Sequence, residues 1–558
     1  MIPIDTDPSN ATVDCLILVK RLASEPDMIA RMAWRALEDF VDEAKANDFP
    51  IPKELRHPPI EMLANHGMSG AISLTSIVLA TALDRGGLSC AIVDDDDLFE
   101  KYGDLATREL RRARVIAVST TYITSRFELE EFLAQIRTAA PDIPIILGGQ
   151  GLMALRLNPL TEPEPTLFDG VAAIVMGEAD ELIAPLVGFF SQGRPRPELP
   201  GILYKDGLSW HGSDKPASVE LDHVPIPDYS LIDKCRINAD RFDRSLYRPQ
   251  FPSLEEGRGC VFKCRFCSYH TYSAFRRKSP QRIVDEMAAM KRQGFTGVSF
   301  VGAEFIAPIK HSRSVFEAIR DSGLNMTLWM YARLDLLSRH TDLLDLMVDA
   351  GVSDITFGME SGDESILMEM KKYYNVGEMV QGAKLAKQKG IKVTASFILG
   401  YPGETEKTIS NTLDALTASN FDFVFLHPLG IVRDTPLWNL REKYGITMTE
   451  SGLWSHKTMS LHQLPQHIQY VMRRLIEGTD SLFVNILRNH APGFVNPGAV
   501  DYNQRLEEAT RVLQRILLAE WTEGTTQEAK RRIWQELCVT ANQLPARIIK
   551  RLSPQAAV

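Results

Sequence analysis

Twice along this 558-residue chain, short apolar runs alternate with stretches of helical period, and that rhythm restricts the fold more than any other feature. The first series holds the strand-like TVDCLILV (12–19), SCAIVDDDD (89–97), RVIAVSTTY (114–122), PIILGGQG (144–151) and the start of VAAIVMGEADELIAPLVGFF (171–190). Helix-like SGAISLTSIVLATALDRGG (69–87) and ELEEFLAQIRTAA (128–140) lie between them. Strands that are apolar throughout and separated by helices belong to a parallel sheet covered on both faces. Residues 1–195 are therefore expected to form an α/β, doubly wound, Rossmann-like domain.

A second series runs over residues 251–435 and ends with FDFVFLHPLG (421–430). Counting a strand just before Cys260, it makes about six strand–helix units, which predicts an α/β partial (β/α)6 barrel rather than a closed eight-fold one. Residues 196–250 are rich in proline and glycine and read as a linker with a small hairpin around Gly207. Residues 436–558 show helical periodicity without strands, so a separate helical region is expected there.

Charge excludes one class of partner. The net charge is −10; residues 431–558 hold 16 Lys and Arg against 12 Asp and Glu, and no basic stripe interleaved with aromatics accompanies that surplus. No nucleic acid is expected. The start, MIPIDTDPSNATVD, lacks a secretory pattern, and no apolar run approaches membrane-spanning length, so a cytoplasmic protein without a membrane partner is expected.

Seven cysteines, three of them within eight residues, do not make a disulfide framework. GRGCVFKCRFCSYH (257–270) spaces Cys260, Cys264 and Cys267 as C-x3-C-x2-C. Structural zinc wants four ligands, usually in separated pairs, and stays a poorly served alternative. A four-iron cluster held by three thiolates keeps one iron open to another ligand. In the front domain, the ends of apolar strands carry Ser119, Thr120, Thr121 and Tyr122, then Gly148, Gly149 and Gln150, then Met176, Gly177 and Glu178. Ligands of open parallel sheets bind at such carboxyl ends.

The cysteine spacing, with Phe266 as the aromatic before the third cysteine, resembles the cluster motif of the radical S-adenosylmethionine enzymes. The resemblance covers about residues 250–435. It implies a [4Fe-4S] cluster on Cys260, Cys264 and Cys267, with S-adenosylmethionine on the open iron and its reductive cleavage to a 5′-deoxyadenosyl radical. FVGAEF stands where the family has a Gly-Gly-Glu segment, with Gly302 and Glu304 matching and Ala303 departing. FGMESGDESIL resembles the ribose-binding strand end, with Glu360 and Ser361. SFILGYPGET resembles the segment near the adenine, with Ile398 and Gly400. Arg333 is a candidate partner for the methionine carboxylate, since a guanidinium fork suits a carboxylate.

An α/β domain ahead of such a barrel resembles the cobalamin-binding subgroup, over about residues 10–195. None of the 12 histidines follows an Asp by two residues, so the D-x-H-x-x-G cobalt motif is absent, as it commonly is in that subgroup. The resemblance implies cobalamin at the three front-domain loops and a C-methyltransferase acting on an unactivated carbon in natural-product or cofactor biosynthesis. The alternatives are a radical cyclase or rearrangement enzyme, or a non-catalytic iron–sulfur protein. A small-molecule or peptide substrate and an external low-potential electron donor are implied. Tyr269 and His427 are the candidate acid–base residues, and the region after residue 435 is expected to be a separable cap over the substrate.

Overall fold

The computed structural model describes residues 12–20, 73–235, 252–483 and 500–533, apart from a few positions within those ranges. Expectations for residues 1–11, 21–72, 236–251, 484–499 and 534–558, among them the start of the helix expected over 69–87 and part of the helical tail, lie outside the described residues.

The front sheet contains β1 (Cys15–Lys20), β2 (Cys90–Asp95), β3 (Ile116–Ser119), β4 (Ile145–Gly148), β5 (Val171–Val175), β6 (Ile202–Asp206) and β7 (Ser209–Gly212). Their order is β2-β1-β3-β4-β5-β6-β7. The first five are parallel, and β6 and β7 return antiparallel. Alternation along β1 explains the layering. Cys15, Ile17 and Val19 face one core and Leu16 and Leu18 the other. Helix Leu74–Arg85 covers the first face with Ile77, Ala80 and Leu83, and helix Arg126–Ala139 covers the second with Leu129, Phe132, Leu133 and Ile136. Each buried Leu, Ile, Val or Phe side chain among these contributes about 1.5–3 kcal/mol. The domain is doubly wound as expected.

The described part of the expected linker is packed rather than free. β6 and β7 extend the front sheet, and the 3₁₀ turn Tyr229–Lys234 buries Tyr229, Leu231 and Ile232. Tyr229 Oη donates to Ser253 O at 2.6 Å, and the Asp228 amide to Thr81 Oγ1 at 2.9 Å. Proline and glycine reveal the lack of helix, but the docking depends on a few apolar residues, Tyr229, Leu231 and Ile232.

The second sheet uses β8 (Ser253–Leu254), β11 (Gly297–Phe300), β12 (Thr327–Tyr331), β13 (Val352–Glu360), β14 (Lys392–Leu399) and β15 (Phe423–Pro428). Between β8 and β11, β9 (Gly257–Arg258) and β10 (Arg276–Arg277) pair antiparallel as a two-residue ribbon around the cysteine loop. The six main strands are parallel, the expected partial barrel, with the helices outside; Ile283, Met287 and Met290 of helix Pro280–Arg292 are fully buried.

The tail departs from expectation. It contains β16 (Thr447–Met448), β17 (Trp454–His456) and β18 (Met459–Ser460) as an antiparallel sheet, and β19 (Leu482–Phe483) adds a seventh parallel strand beside β15. Helix Leu464–Gly478 buries Ile468, Val471, Met472 and Leu475 in the same core as the barrel. Strands of two or three residues are too short to carry a readable period, and the region is not a detached helical cap.

Candidate functional site

The cysteine loop leaves β9 through Gly259, whose φ of +72° and crowding suit glycine: a β-carbon there would lie 2.5 Å from Ser273 O. Cys264 is buried, Cys260 and Cys267 are half-buried, and all three thiols are free. Burial raises each thiol, Cys267 to about 11, and each of Cys260 and Cys264 adds repulsion to Cys267. The loop is anchored in its middle. The Arg265 amide donates to Met370 O at 2.9 Å, Arg265 O accepts from the Leu437 amide at 2.7 Å, and its guanidinium reaches Glu369 Oε2 at 2.7 Å.

Among the described residues no three His, Cys, Asp or Glu side chains converge as a single metal ion would require. A four-iron cluster takes one thiolate on each of three different irons, so three free, mutually repelling thiols in one anchored loop fit it. The Lys372 ammonium, on a side chain 10% exposed, favours the thiolate form of all three against that burial.

Around the loop, the strand ends gather the residues singled out in the barrel. Gly302 leaves room for Glu256: a β-carbon would lie 2.1 Å from its Oε1, and the Gly302 amide donates to Oε2 at 2.9 Å. Glu304 is buried, its Oε1 accepts from the Ile306 amide at 2.9 Å, and burial lifts its pKa to about 7. Glu360 is buried at φ +63° and accepts from Lys372 Nζ at 2.7 Å. Ser361 Oγ lies 3.2 Å from Thr412 Oγ1 and caps the Asp363 amide at 3.1 Å. Phe266 lies 5.9 Å from Lys372 Nζ. Ile398 is buried at the end of β14, and Gly400 follows it at φ +93° with its amide 2.6 Å from Glu404 Oε2.

Arg333 is already paired. Its Nε and Nη2 meet the two Asp335 carboxylate oxygens at 2.9 and 3.0 Å, Nη2 donates to Lys372 O at 3.2 Å, and its plane lies 4.1 Å from the Phe262 ring centre. Lys372 was not foreseen. Its backbone neighbours Lys371 and Tyr373 have φ of +55° and +45°, and strained backbone of this kind concentrates at functional sites. Nothing in the local string MEMKKYY shows which of two lysines turns inward. Tyr269 is exposed in the short helix Tyr269–Tyr272, and the ring of half-buried His427 lies 4.0 Å from that of Phe425 on β15, tilted by 56°.

In the front domain, the exits of β3 and β4 interlock. Thr120 Oγ1 donates to Gly148 O at 3.0 Å, Ser119 Oγ and Thr121 Oγ1 are 3.0 Å apart, and a β-carbon on Gly149 (φ +108°) would lie 2.9 Å from the Thr120 amide nitrogen. Tyr122 packs against the core and Gln150 is exposed. The β5 exit is arranged differently. Met176 is buried and hydrogen-bonds through its backbone to Gly201 and Ala217, Gly177 (φ +92°) lies against Ala217, and Glu178 accepts from the Val219 amide at 2.8 Å and pairs with Arg258 at 3.1 Å and with Arg276. Those arginines outweigh burial and hold the Glu178 carboxyl below its ordinary value. Helix Gln150–Ala154, directly after β4, lies against helix Tyr269–Tyr272, directly after Cys267.

Residues 255–416 match the radical SAM superfamily, so the chain carries a radical SAM domain. Over 257 residues it is 25% identical to an uncharacterized methyltransferase of Pyrococcus horikoshii, covering 45% of this chain and 54% of that one. Over 347 residues it is 27% identical to the anaerobic magnesium-protoporphyrin IX monomethyl ester cyclase of Rubrivivax gelatinosus, covering 60% of each. The chain thus spans about half to three-fifths of the length of these relatives. Its fold is similar to that of the radical S-adenosylmethionine methyltransferase TsrM of Kitasatospora setae, solved with cobalamin and a [4Fe-4S] cluster bound, at a TM-score of 0.52, 18% identity, and 77% and 75% coverage of the two chains.

Proposed function

We propose that this chain is a cobalamin-dependent radical S-adenosylmethionine enzyme, a C-methyltransferase acting on an unactivated carbon of a small molecule or peptide in natural-product or cofactor biosynthesis. The observation that carries the reading is the contact between helix Gln150–Ala154 and helix Tyr269–Tyr272, because it brings the β3 and β4 exits of the front sheet to the cysteine loop of the barrel. When bound, a [4Fe-4S] cluster with S-adenosylmethionine supplies one-electron chemistry, and cobalamin supplies a transferable methyl group.

The chain's own residues divide the work. Cys260, Cys264 and Cys267 hold the cluster, and the Lys372 ammonium offsets thiolate charge. Gly302 and Glu304 face the methionine amino end, while Glu360, Ser361, Ile398 and Gly400 define the nucleoside end. Arg333, engaged by Asp335, acts by holding the Lys372 carbonyl rather than by taking the methionine carboxylate itself. Ser119, Thr120, Thr121, Tyr122, Gly148, Gly149 and Gln150 offer hydroxyls and backbone groups to cobalamin. Tyr269 and His427 are the candidates for moving a proton at the mouth. Reducing equivalents come from an external low-potential donor. Among the described residues no helix is long and apolar enough to cross a membrane.

The deciding experiment is anaerobic reconstitution with iron, sulfide and hydroxocobalamin, followed by reduction with methyl-labelled S-adenosylmethionine. About four iron and one cobalamin per chain, with label moving to the corrin, support the reading; a chain that takes up iron but no cobalamin overturns it. A second reading, cyclisation, is favoured by the similarity to the Rubrivivax cyclase. Loss of two hydrogens from substrate without gain of label would select it.

A further inference from the structure

The ribbon formed by β9 and β10 carries arginines toward both domains. Arg276 pairs across the ribbon with Arg258, and Arg277 with Gly257. On the barrel side, Arg277 Nη1 meets Glu256 Oε1 at 3.1 Å and Nη2 donates to Ala307 O at 2.7 Å and to Glu304 O. On the front-domain side, Arg258 makes a bidentate pair with Asp180, at 2.9 and 2.8 Å, and reaches Glu178 Oε2 at 3.1 Å. Arg276 holds both oxygens of Glu178 and donates to Ser218 Oγ at 2.8 Å, while Ser273 Oγ donates to Glu178 Oε1 at 3.2 Å. Glu178 and Asp180 follow β5 of the front sheet; Ser218 and Val219 belong to the connecting segment. Both ends of the cysteine-bearing loop, residues 259–275, are therefore fastened to Glu178, and the leading end, through Arg258, to Asp180 as well.

We propose that this ribbon is a positioning joint, in which Glu178 and Asp180 fix where the cysteine loop stands relative to the carboxyl end of the front sheet, so that Glu178 acts through Arg258 and Arg276 and not as a contact to a cofactor. The proposal deepens the cobalamin reading, since it assigns how the two cofactor-bearing halves keep their separation. Bidentate arginine–carboxylate pairs suit the task because they fix orientation as well as distance. With side chains only 6–20% exposed, the four residues form a partly desolvated network, in which a reversed charge leaves uncompensated neighbours.

The test compares wild type, Glu178→Gln, Glu178→Lys and the swapped pair Glu178→Arg with Arg276→Glu. Amide hydrogen exchange at residues 257–258, 276–277 and 219, read on each purified protein without added cobalamin, should accelerate at least tenfold in Glu178→Lys, less in Glu178→Gln, and return toward wild type in the swapped pair. Iron content and S-adenosylmethionine affinity should stay within about twofold of wild type. In protein loaded with cob(II)alamin and a reduced cluster, the magnetic broadening between the two centres should weaken in Glu178→Lys and recover in the swap. Unchanged exchange in both single variants overturns the joint, as does a swapped pair that fails to recover while Glu178→Lys is impaired. A wild type that shows the exchange pattern but binds no cobalamin overturns the cobalamin reading and leaves the joint standing.

Discussion

The indole of Trp454 occupies the space above Gly400: a β-carbon on residue 400 would lie 2.6 Å from Trp454 Cη2. Trp454 Nε1 donates to Leu429 O at 2.8 Å, its ring stacks at 5.1 Å on His456, and His456 Nε2 lies 2.8 Å from Gly400 O. One tail strand thus holds the exits of both β14 and β15. Gly400→Ala, at φ +93° and with no room, should destabilise by about 2–4 kcal/mol, and Trp454→Ala by about 3–5 kcal/mol. Denaturant titration measures both. Wild-type stability in Gly400→Ala would show that the tail strand does not bear on the loop.

Lys372 and Glu360 are buried together, so removing either leaves a charge without its partner. Lys372→Met should cost about 3–5 kcal/mol, and adding Glu360→Gln should recover part of it, giving a coupling of about 2 kcal/mol in a double-mutant cycle. Strict additivity would mean that the 2.7 Å contact contributes nothing.

Burial pushes the Glu404 carboxyl up to about 7, against hydrogen bonds from the Gly400 and Tyr401 amides. An acid raised on folding binds its proton more tightly in the native state. Its contribution is therefore most favourable below about pH 4.5 and declines as pH rises toward 7, then levels off. The unfolding free energy of wild type, read by denaturant titration, should fall relative to that of Glu404→Gln between pH 5 and 8, by about 3 kcal/mol at most. Parallel pH profiles for the two proteins would contradict this.

Cys260→Ala, Cys264→Ala and Cys267→Ala should each lose most iron and visible absorbance after anaerobic reconstitution. Cys15→Ala and Cys90→Ala should keep both, because these thiols are cross-strand neighbours buried in the front sheet. Equal iron in all five variants would remove the cluster from the loop.

Both parallel sheets were legible because their strands are apolar on two faces and their helices carry a clear period; Leu16–Leu18 and Phe397–Leu399 read directly as core. The cysteine spacing is likewise local, and so it pointed to the loop. What escaped reading depends on side-chain pairings that leave no periodic pattern in the sequence. Lys372 meets Glu360 only after a strained turn, Arg333 reads as a free fork until Asp335 is placed beside it, and Glu178 stands at a strand end like a ligand group although two arginines about 80 and 98 residues later engage it. The tail looked separable because two-residue strands leave no pattern, yet a cut near Thr435 would remove Trp454, Leu464 and Phe483 from the barrel core.

The seventh strand has a consequence for biosynthesis. β15 ends at Pro428, but the chain that shields its outer edge, Leu482–Phe483, is made more than fifty residues later. While the polypeptide emerges from a ribosome, the nascent sheet therefore passes through an interval in which β15 offers unpaired backbone groups to any neighbouring extended chain. Helix Leu464–Gly478 is translated within that interval and covers part of the apolar surface before the strand arrives. Expression at high polysome density, where nascent chains crowd, is the condition under which this protein would be lost to aggregates first.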